Sequence, residues 1–338
     1  MSSGRIAFLF PGQGSQKVGM GRLLYEEYPE ARSVFDQANE IVGFDLKSLC
    51  FEGPEESLKD TVNAQPALYV ASIAALRSFQ AQGAITPFAV AGHSVGEYAA
   101  LTAAGSLPFE DGLRLVRKRG ELMRDASTSS STSSSTPTSS STPTSTSRPG
   151  TMAAVIGLEA SEARAACEAA RDSGAGLVTV ANYNGGGQVV ISGETAAVAA
   201  ASEIAKSMGA RRVIPLPVSG AFHSPLMVNA GDKLYEWLAK APFSKPLVKI
   251  VSNVEARYIE SPGDVTAGLT MQVSGSVRWE ESMQLLVKDS VTTVIEFGSS
   301  DVLCGLMKRI DRSVTAMTVT DPQTLRAALA ALAIDTVA

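Results

Sequence analysis

The chain has 338 residues, 45% of them hydrophobic and 19% charged, with a formal net charge of −5. That suits a soluble globular protein with a substantial core and excludes a small single-core miniprotein. The slightly acidic balance gives no electrostatic footprint for nucleic acid. Cys50, Cys167 and Cys304 stand too far apart for a disulfide framework or a zinc site.

From the N-terminus, apolar strand-like runs alternate with helical patterns: RIAFLF, then YPEARSVFDQANEIVG and QPALYVASIAALRSFQAQG, then PFAVAG, then EYAALTAAG and PFEDGLRLVRKRGELMRDA. Such alternation predicts a parallel sheet covered by helices on both faces. At Ser127 begins a tract of serines interrupted only by Thr and Pro, STSSSTSSSTPTSSSTPTSTS. It has nothing to bury, so residues 127–148 are expected to be a disordered loop. Next come strand TMAAVIGL, helix SEARAACEAARDSG, strand LVTVANYN, turn GGG, strand QVVISG, helix ETAAVAAASEIAKSMG and strand ARRVIPL. This βαββαβ order is the ferredoxin-like unit and predicts a small lobe over 149–217. A helix from Pro225 to Lys240 and strands KIVSN and TTVIEFG then rejoin the first domain. The fold expected is therefore α/β: a discontinuous large α/β-hydrolase-like domain, 1–126 and 218–338, with the small lobe inserted.

Within the first domain PFAVA runs into Gly92-His93-Ser94-Val95-Gly96 and on into EYAALTAA. A G-x-S-x-G serine has chemical meaning where a strand turns sharply into a helix, because the turn holds its hydroxyl clear of the sheet. The helix N-terminus there favours developing negative charge, and the N–H of Val95 is the natural oxyanion donor. A serine nucleophile needs a base, and the chain has two histidines. His93 adjoins Ser94 in the turn and should point away from the hydroxyl. His223, in PVSGAFHSPLM, precedes Ser224, expected to cap the next helix, and Pro225, suited to its first turn. His223 is thus the candidate base. An ordinary hydrolase triad would add an acid. Asp111, Asp125 and Asp172 lie between Ser94 and His223, but none follows a strand. A serine esterase or thioesterase stays open on these residues, as does a non-catalytic docking module.

Five pieces, FLFPGQGSQKVGMG, GHSVGEYAAL, RKRGELM, SGAFHSPLM and MQVSGSVRWEESM, resemble the malonyl-CoA:acyl carrier protein transacylase family and the acyltransferase domains of polyketide synthases. The likeness spans nearly the whole chain apart from the Ser/Thr tract. The closing EFGSSDVLCGLMKRI departs from the family's usual Gly-Pro-Gly at Gly298-Ser299-Ser300. The resemblance implies that Ser94 takes the acyl group from a CoA thioester and that His223 is general base, then acid. It implies that Gln13 completes the oxyanion hole opposite Val95, each donor worth roughly 3 kcal/mol, and that the main-chain carbonyl of Gln272 orients the histidine. Arg119 is implied to grip the malonyl carboxylate, a task suited to a planar two-donor fork. Helical periodicity alone does not select it, because Arg117, Arg119 and Arg124 all flank the apolar stripe of Leu113, Val116, Gly120 and Met123.

Phe222 before the histidine goes, in this family, with malonyl rather than methylmalonyl, and a methyl in a tight pocket is worth about 1–3 kcal/mol. Gln65, Asn182, Phe222 and Met123 are candidate cleft contacts, although Asn182 and Asn184 also read simply as turn residues of the small-lobe hairpin. GQGSQK lacks the glycine and Gly-Lys-Ser/Thr spacing of phosphate-cradling loops. The implied activity is malonyl transfer from malonyl-CoA to the phosphopantetheine thiol of acyl carrier protein, for fatty acid synthesis or, as a stand-alone enzyme, a polyketide pathway. It implies no cofactor and no metal. No nucleic acid or membrane partner and a monomer are expected. The N-terminus carries no secretory pattern, so the expected home is the cytoplasm, or the stroma of a plastid or mitochondrion if a transit peptide has been removed.

Overall fold

In RIAFLF the four residues Ala7, Phe8, Leu9 and Phe10 are all fully buried. Consecutive strand residues point to opposite faces, so a run buried at four successive positions is covered on both. This strand, β1 (Arg5–Phe10), is the centre of a sheet in a computed structural model that describes residues 4–83, 85–129, 149–218 and 220–332. The other strands are β2 (Ala89–Gly92), β3 (Gly150–Ile156), β4 (Val178–Gly185), β5 (Gln188–Glu194), β6 (Arg212–Pro215), β7 (Lys249–Val251), β8 (Val291–Phe297) and β9 (Thr315–Val319). They form two sheets, ordered β7-β2-β1-β8-β9 and β4-β5-β3-β6.

The chain folds as two compact units. The first comprises Met1–Gly120, Glu236–Leu269 and Arg278–Ala338; the second, Glu121–Tyr235 and Thr270–Val277. In the first, every strand pair is parallel, as the β/α alternation predicts. Its centre is aromatic: Phe8 meets Phe297 at 4.8 Å and Phe79 at 6.2 Å between ring centroids, edge to face. Phe79 belongs to the Thr61–Gln82 helix, whose small residues Ala64, Ala67, Ala71, Ala74 and Ala75 are buried along with its large ones. A helix buried nearly all round shows no clear amphipathic stripe.

The second unit contains the expected ferredoxin-like arrangement. Its sheet is antiparallel throughout, and the Ala160–Asp172 and Thr195–Ser207 helices bury Ala163, Ala166, Ala170, Ala197, Ala201 and Ala205 against β3, β4 and β5. Alanine at these three- and four-residue spacings brings each helix axis close to the sheet. The unit is wider than the expected 149–217. Residues 270–277 belong to it because Val277 pairs with β4: its N–H donates to Ala181 O at 2.8 Å and its carbonyl accepts from Tyr183 N at 2.9 Å.

Two local expectations are corrected. The Phe109–Ser129 helix runs into the Ser/Thr tract instead of stopping before Ser127. Hydroxyls of Ser127 and Thr128 bond back to carbonyls one turn earlier, at Met123 and Arg124, the helix-compatible alternative for such residues; the rest of the expected loop lies outside the described residues. Asn182 and Asn184 are not turn residues. Both are buried in β4, and Gly185, Gly186 and Gly187 make the turn at positive φ.

Candidate active site

The strand-to-helix turn after β2 is tight. Ser94 has φ 52°, left-handed and uncommon for a residue with a Cβ. The Gly96–Ala103 helix follows at once, with Val95 as its N-cap residue. A methyl on Gly92 would lie 2.0 Å from the carbonyl of Gly96, and one on Gly96 would lie 2.1 Å from Phe10 O. Neither glycine can carry a side chain without moving backbone. Asn253, just beyond β7, straps the turn: its Oδ1 accepts from Ser94 N at 2.7 Å and its Nδ2 donates to Gly92 O at 2.6 Å. His93 donates its N–H to Phe10 O and packs its ring 5.3 Å from that of Trp279. The loop after β1 comes close as well, since a methyl on Gly12 would lie 2.5 Å from His93 O.

Arg119 is brought to Ser94 by close helix packing. The Phe109–Ser129 helix meets the Thr61–Gln82 helix at two glycines. Methyls there would lie 2.2 Å from Tyr69 Oη at Gly112 and 2.8 Å from Thr61 O at Gly120. Pro66 lies inside the Thr61–Gln82 helix and has no N–H for the carbonyl four residues back. That carbonyl, Val62 O, accepts from Arg117 Nη1 at 3.1 Å. Arg119 Nη1 donates to Gln65 Oε1 at 2.7 Å, and Nη2 donates to Ser94 Oγ at 3.1 Å. The same chain of bonds continues from Gln65 Nε2 to Thr61 Oγ1 at 3.1 Å and from Thr61 Oγ1 to Gln13 Oε1 at 2.9 Å. Thr61 thereby holds the amide oxygen of Gln13, so the group its amide still has to donate with is the NH₂.

Arg119 is 1% exposed. Burial pulls its pKa below the ordinary guanidinium value, opposed by Tyr98 and Glu97. A guanidinium has so high an intrinsic pKa that it stays protonated, so a fixed positive charge stands at the serine hydroxyl.

In the second unit His223 is buried, with φ 56°. Its Nδ1 lies 2.8 Å from Gln272 O and 3.1 Å from Gly275 O. Carbonyl oxygens only accept, so Nδ1 carries the proton and Nε2 of the neutral ring is the basic nitrogen. The carbonyls are in turn fixed by β4, through Val277 and through Ser276, whose Oγ donates to Val180 O at 2.7 Å. Ser224 does not cap the helix after it. Its Oγ donates instead to Ala221 O at 2.6 Å, across the turn that presents the histidine. Phe222 and Met123 are buried in this unit.

Ser94, Val95, Gln13, Gln65 and Arg119 thus fall in the first unit, and His223, Gln272, Phe222, Met123 and Asn182 in the second. Asn253, Thr61 and Gly275 hydrogen-bond to these residues and are missed by sequence reasoning. Asn253 alone has a signal, as a polar residue at the C-terminal end of a parallel strand, where α/β folds place ligand-binding groups. Among the described residues, no group of three or more His, Cys, Asp or Glu is placed to hold a metal ion, and no helix is long and apolar enough to cross a membrane.

A serine on a strained strand–helix turn, with a buried arginine on its hydroxyl, has the parts of an acyl-transfer enzyme. A family model described as an acyl transferase domain matches residues 7–142 and 135–319. The malonyl CoA-acyl carrier protein transacylase of Bacillus subtilis is 44% identical over 97% of each chain, and that of Escherichia coli K12 40% identical over 96% of this chain and 99% of its own. Among solved structures, the acyl-carrier-protein S-malonyltransferase of Bartonella henselae superposes with a TM-score of 0.88 at 39% identity, covering 98% of this chain and all of its own. A malonyl-transacylase solved in complex with a type II polyketide-synthase acyl-carrier protein gives a TM-score of 0.88 at 37% identity, over 97% and 99% of the two chains. This chain belongs to the acyl transferase domain family.

Proposed function

We propose that the chain transfers malonyl groups from malonyl-CoA to the phosphopantetheine thiol of acyl carrier protein through a malonyl ester on Ser94, supplying extender units for fatty acid synthesis. The observation that carries this reading is the buried Arg119 donating to Ser94 Oγ. A fixed cation at the nucleophile suits an acyl group that bears its own carboxylate and has no use in a hydrolase of neutral esters.

In the first half-reaction Ser94 Oγ attacks the thioester carbonyl while His223 Nε2 accepts its proton. The negative oxygen of the tetrahedral intermediate is held by the N–H of Val95 and the amide of Gln13. Collapse expels the CoA thiolate, which takes the proton back from His223. Arg119 exchanges the serine oxygen for the malonyl carboxylate, which two guanidinium nitrogens can bind side by side. The second half-reaction runs the same steps in reverse, with the carrier's pantetheine thiol as nucleophile. The chemistry is redox-neutral, and every step is assigned to a residue of the chain, without metal or cofactor. Gln65 holds Arg119 in place, and we assign contact with the acyl group to Phe222, Met123 and Asn182. The named activities of the relatives and the carrier-protein complex of one structural relative support the same substrate and acceptor. We take the working form to be a monomer in the cytoplasm or an organelle stroma.

The test is intact mass after brief exposure to malonyl-CoA, with Ser94→Ala in parallel. A malonyl adduct that is absent in the variant and discharged by holo-acyl carrier protein is expected. Release of free CoA without an adduct or carrier loading would mean that water is the acceptor and would overturn the assignment.

A further inference from the structure

The segment leading into Phe222 and His223 is closely packed at two points by residues that the transfer reaction itself does not use. A methyl at Gly220 would lie 1.9 Å from Ser127 Oγ, 2.9 Å from Ser127 Cβ and 3.0 Å from Phe222 Cε1. A methyl at Gly150, the first residue of β3, would lie 2.6 Å from Ala221 Cβ and 2.8 Å from Ala221 N. Ser127 and Ala221 are both buried. The Ser127 hydroxyl is held by its bond to Met123 O at 2.8 Å, so the atom facing Gly220 is fixed to the helix that also carries Met123.

We infer that Ser127 and Gly150 form a clamp on Gly220 and Ala221 that sets how far the Phe222 ring reaches, making Ser127 a specificity-determining position for the α-substituent of the acyl group. The inference rests on the malonyl-transfer reading above. The clamp works through size. Protein interiors are packed so closely that a single added methyl must displace a neighbour. Here the neighbours are Ser127, anchored to a helix, and Phe222, joined to the histidine by one peptide bond. Displacing Phe222 makes room for an α-methyl. It also drags His223, whose Nδ1 is tied separately to Gln272 O.

The experiment is a double-mutant cycle on Gly220→Ala and Ser127→Gly, following Ser94 loading by intact mass with malonyl-CoA and with methylmalonyl-CoA. Gly220→Ala is expected to slow malonyl loading about tenfold, as misplacement of a catalytic base does, and to raise the methylmalonyl-to-malonyl ratio roughly fivefold. Adding Ser127→Gly removes the atom 1.9 Å away, and the double variant is expected to recover most of both changes, a coupling that general destabilisation would not give. Wild-type rate and ratio in Gly220→Ala, or a double variant no better than Gly220→Ala alone, would overturn the clamp. If Gly220→Ala does not fold, Ser127→Val presses on Gly220 from the other side. An increased ratio would support the clamp and an unchanged one would refute it. The wild-type chain separates the two claims: no malonyl ester on it overturns the transferase reading, whereas a loaded wild type with insensitive variants overturns the clamp alone.

Discussion

Arg119 Nη2 and Ser94 Oγ are hydrogen-bonded at 3.1 Å, a cation placed on a nucleophile before any substrate arrives. The remaining geometry around Arg119 keeps it there: Gln65 accepts from its other terminal nitrogen, and two glycines of its own helix let that helix approach the Thr61–Gln82 helix.

Replacing Arg119 with Ala should therefore lower kcat/KM for malonyl-CoA by roughly 10- to 100-fold, the worth of a charge-assisted hydrogen-bond pair. Acetyl-CoA, which has no carboxylate to lose, should be used as well as before or better. Steady-state transfer assays with the two donors check this, and unchanged malonyl preference would remove Arg119 from its assigned role.

Asn253→Ala takes away the acceptor of Ser94 N and the donor to Gly92 O together. The expected cost is about 2 kcal/mol, seen as a fall of a few degrees in Tm, with slower loading of Ser94 because the left-handed turn is no longer strapped. Asn253→Asp keeps the acceptor, loses the donor and buries a charge beside Gly92 O, so it should be worse than alanine. Thermal unfolding and loading kinetics on the same samples decide the order.

Gly96→Ala is predicted to be far more damaging than an ordinary glycine substitution in a helix, which raises helix propensity by about 1 kcal/mol. The new methyl would meet the main-chain oxygen of Phe10 at 2.1 Å, with no flexible side chain there to move aside. Loss of soluble protein, or of Ser94 loading by at least about 100-fold, is the expected outcome.

Glu296 gives a pH dependence unconnected with the acyl transfer. It is fully buried in β8, its Oε1 accepting from Ser300 Oγ and its Oε2 from Cys304 N. Burial pushes its carboxyl up to about 7 from an ordinary 4.5, against those hydrogen bonds, which favour the charged form. A raised acid holds its proton longer in the folded state than in the unfolded one. Its contribution is fully present below about pH 4.5 and is lost as pH rises through about 7. The stabilisation lost is on the order of 3 kcal/mol. Glu296→Gln should flatten the stability profile between these limits, as chemical denaturation at a series of pH values would show.

The sequence makes the elements near Ser94 legible because the chemistry is local there: strand, turn and helix are contiguous, and glycines mark the close approaches. The ferredoxin-like unit is equally plain, its strand and helix periods switching cleanly. β9 is not foreseen. At the sheet edge its TAMTV buries only Val319 fully, so no alternation announces it. Burial of Arg119 has no periodic signature either, since Arg117 and Arg124 on the same helix are half-buried and exposed. Only its contact with a distant helix distinguishes it. Asn253 and Gly275 act through a side-chain strap and a bare carbonyl, and a main-chain carbonyl leaves no trace in residue identity.

The strand order of the first sheet has a consequence for how the polypeptide emerges from the ribosome. β1 is among the first segments made, yet its neighbour β8 is not complete until Phe297. During synthesis the four-stranded sheet can close once Pro215 has been translated, whereas β1 waits with one rim of amides and carbonyls unpaired beside some of the most apolar side chains in the protein. An unpaired apolar rim invites association with other chains. Polypeptides released between Asn253 and Phe297 should thus depend on chaperones or aggregate, although the serine turn and its asparagine strap are already present in them.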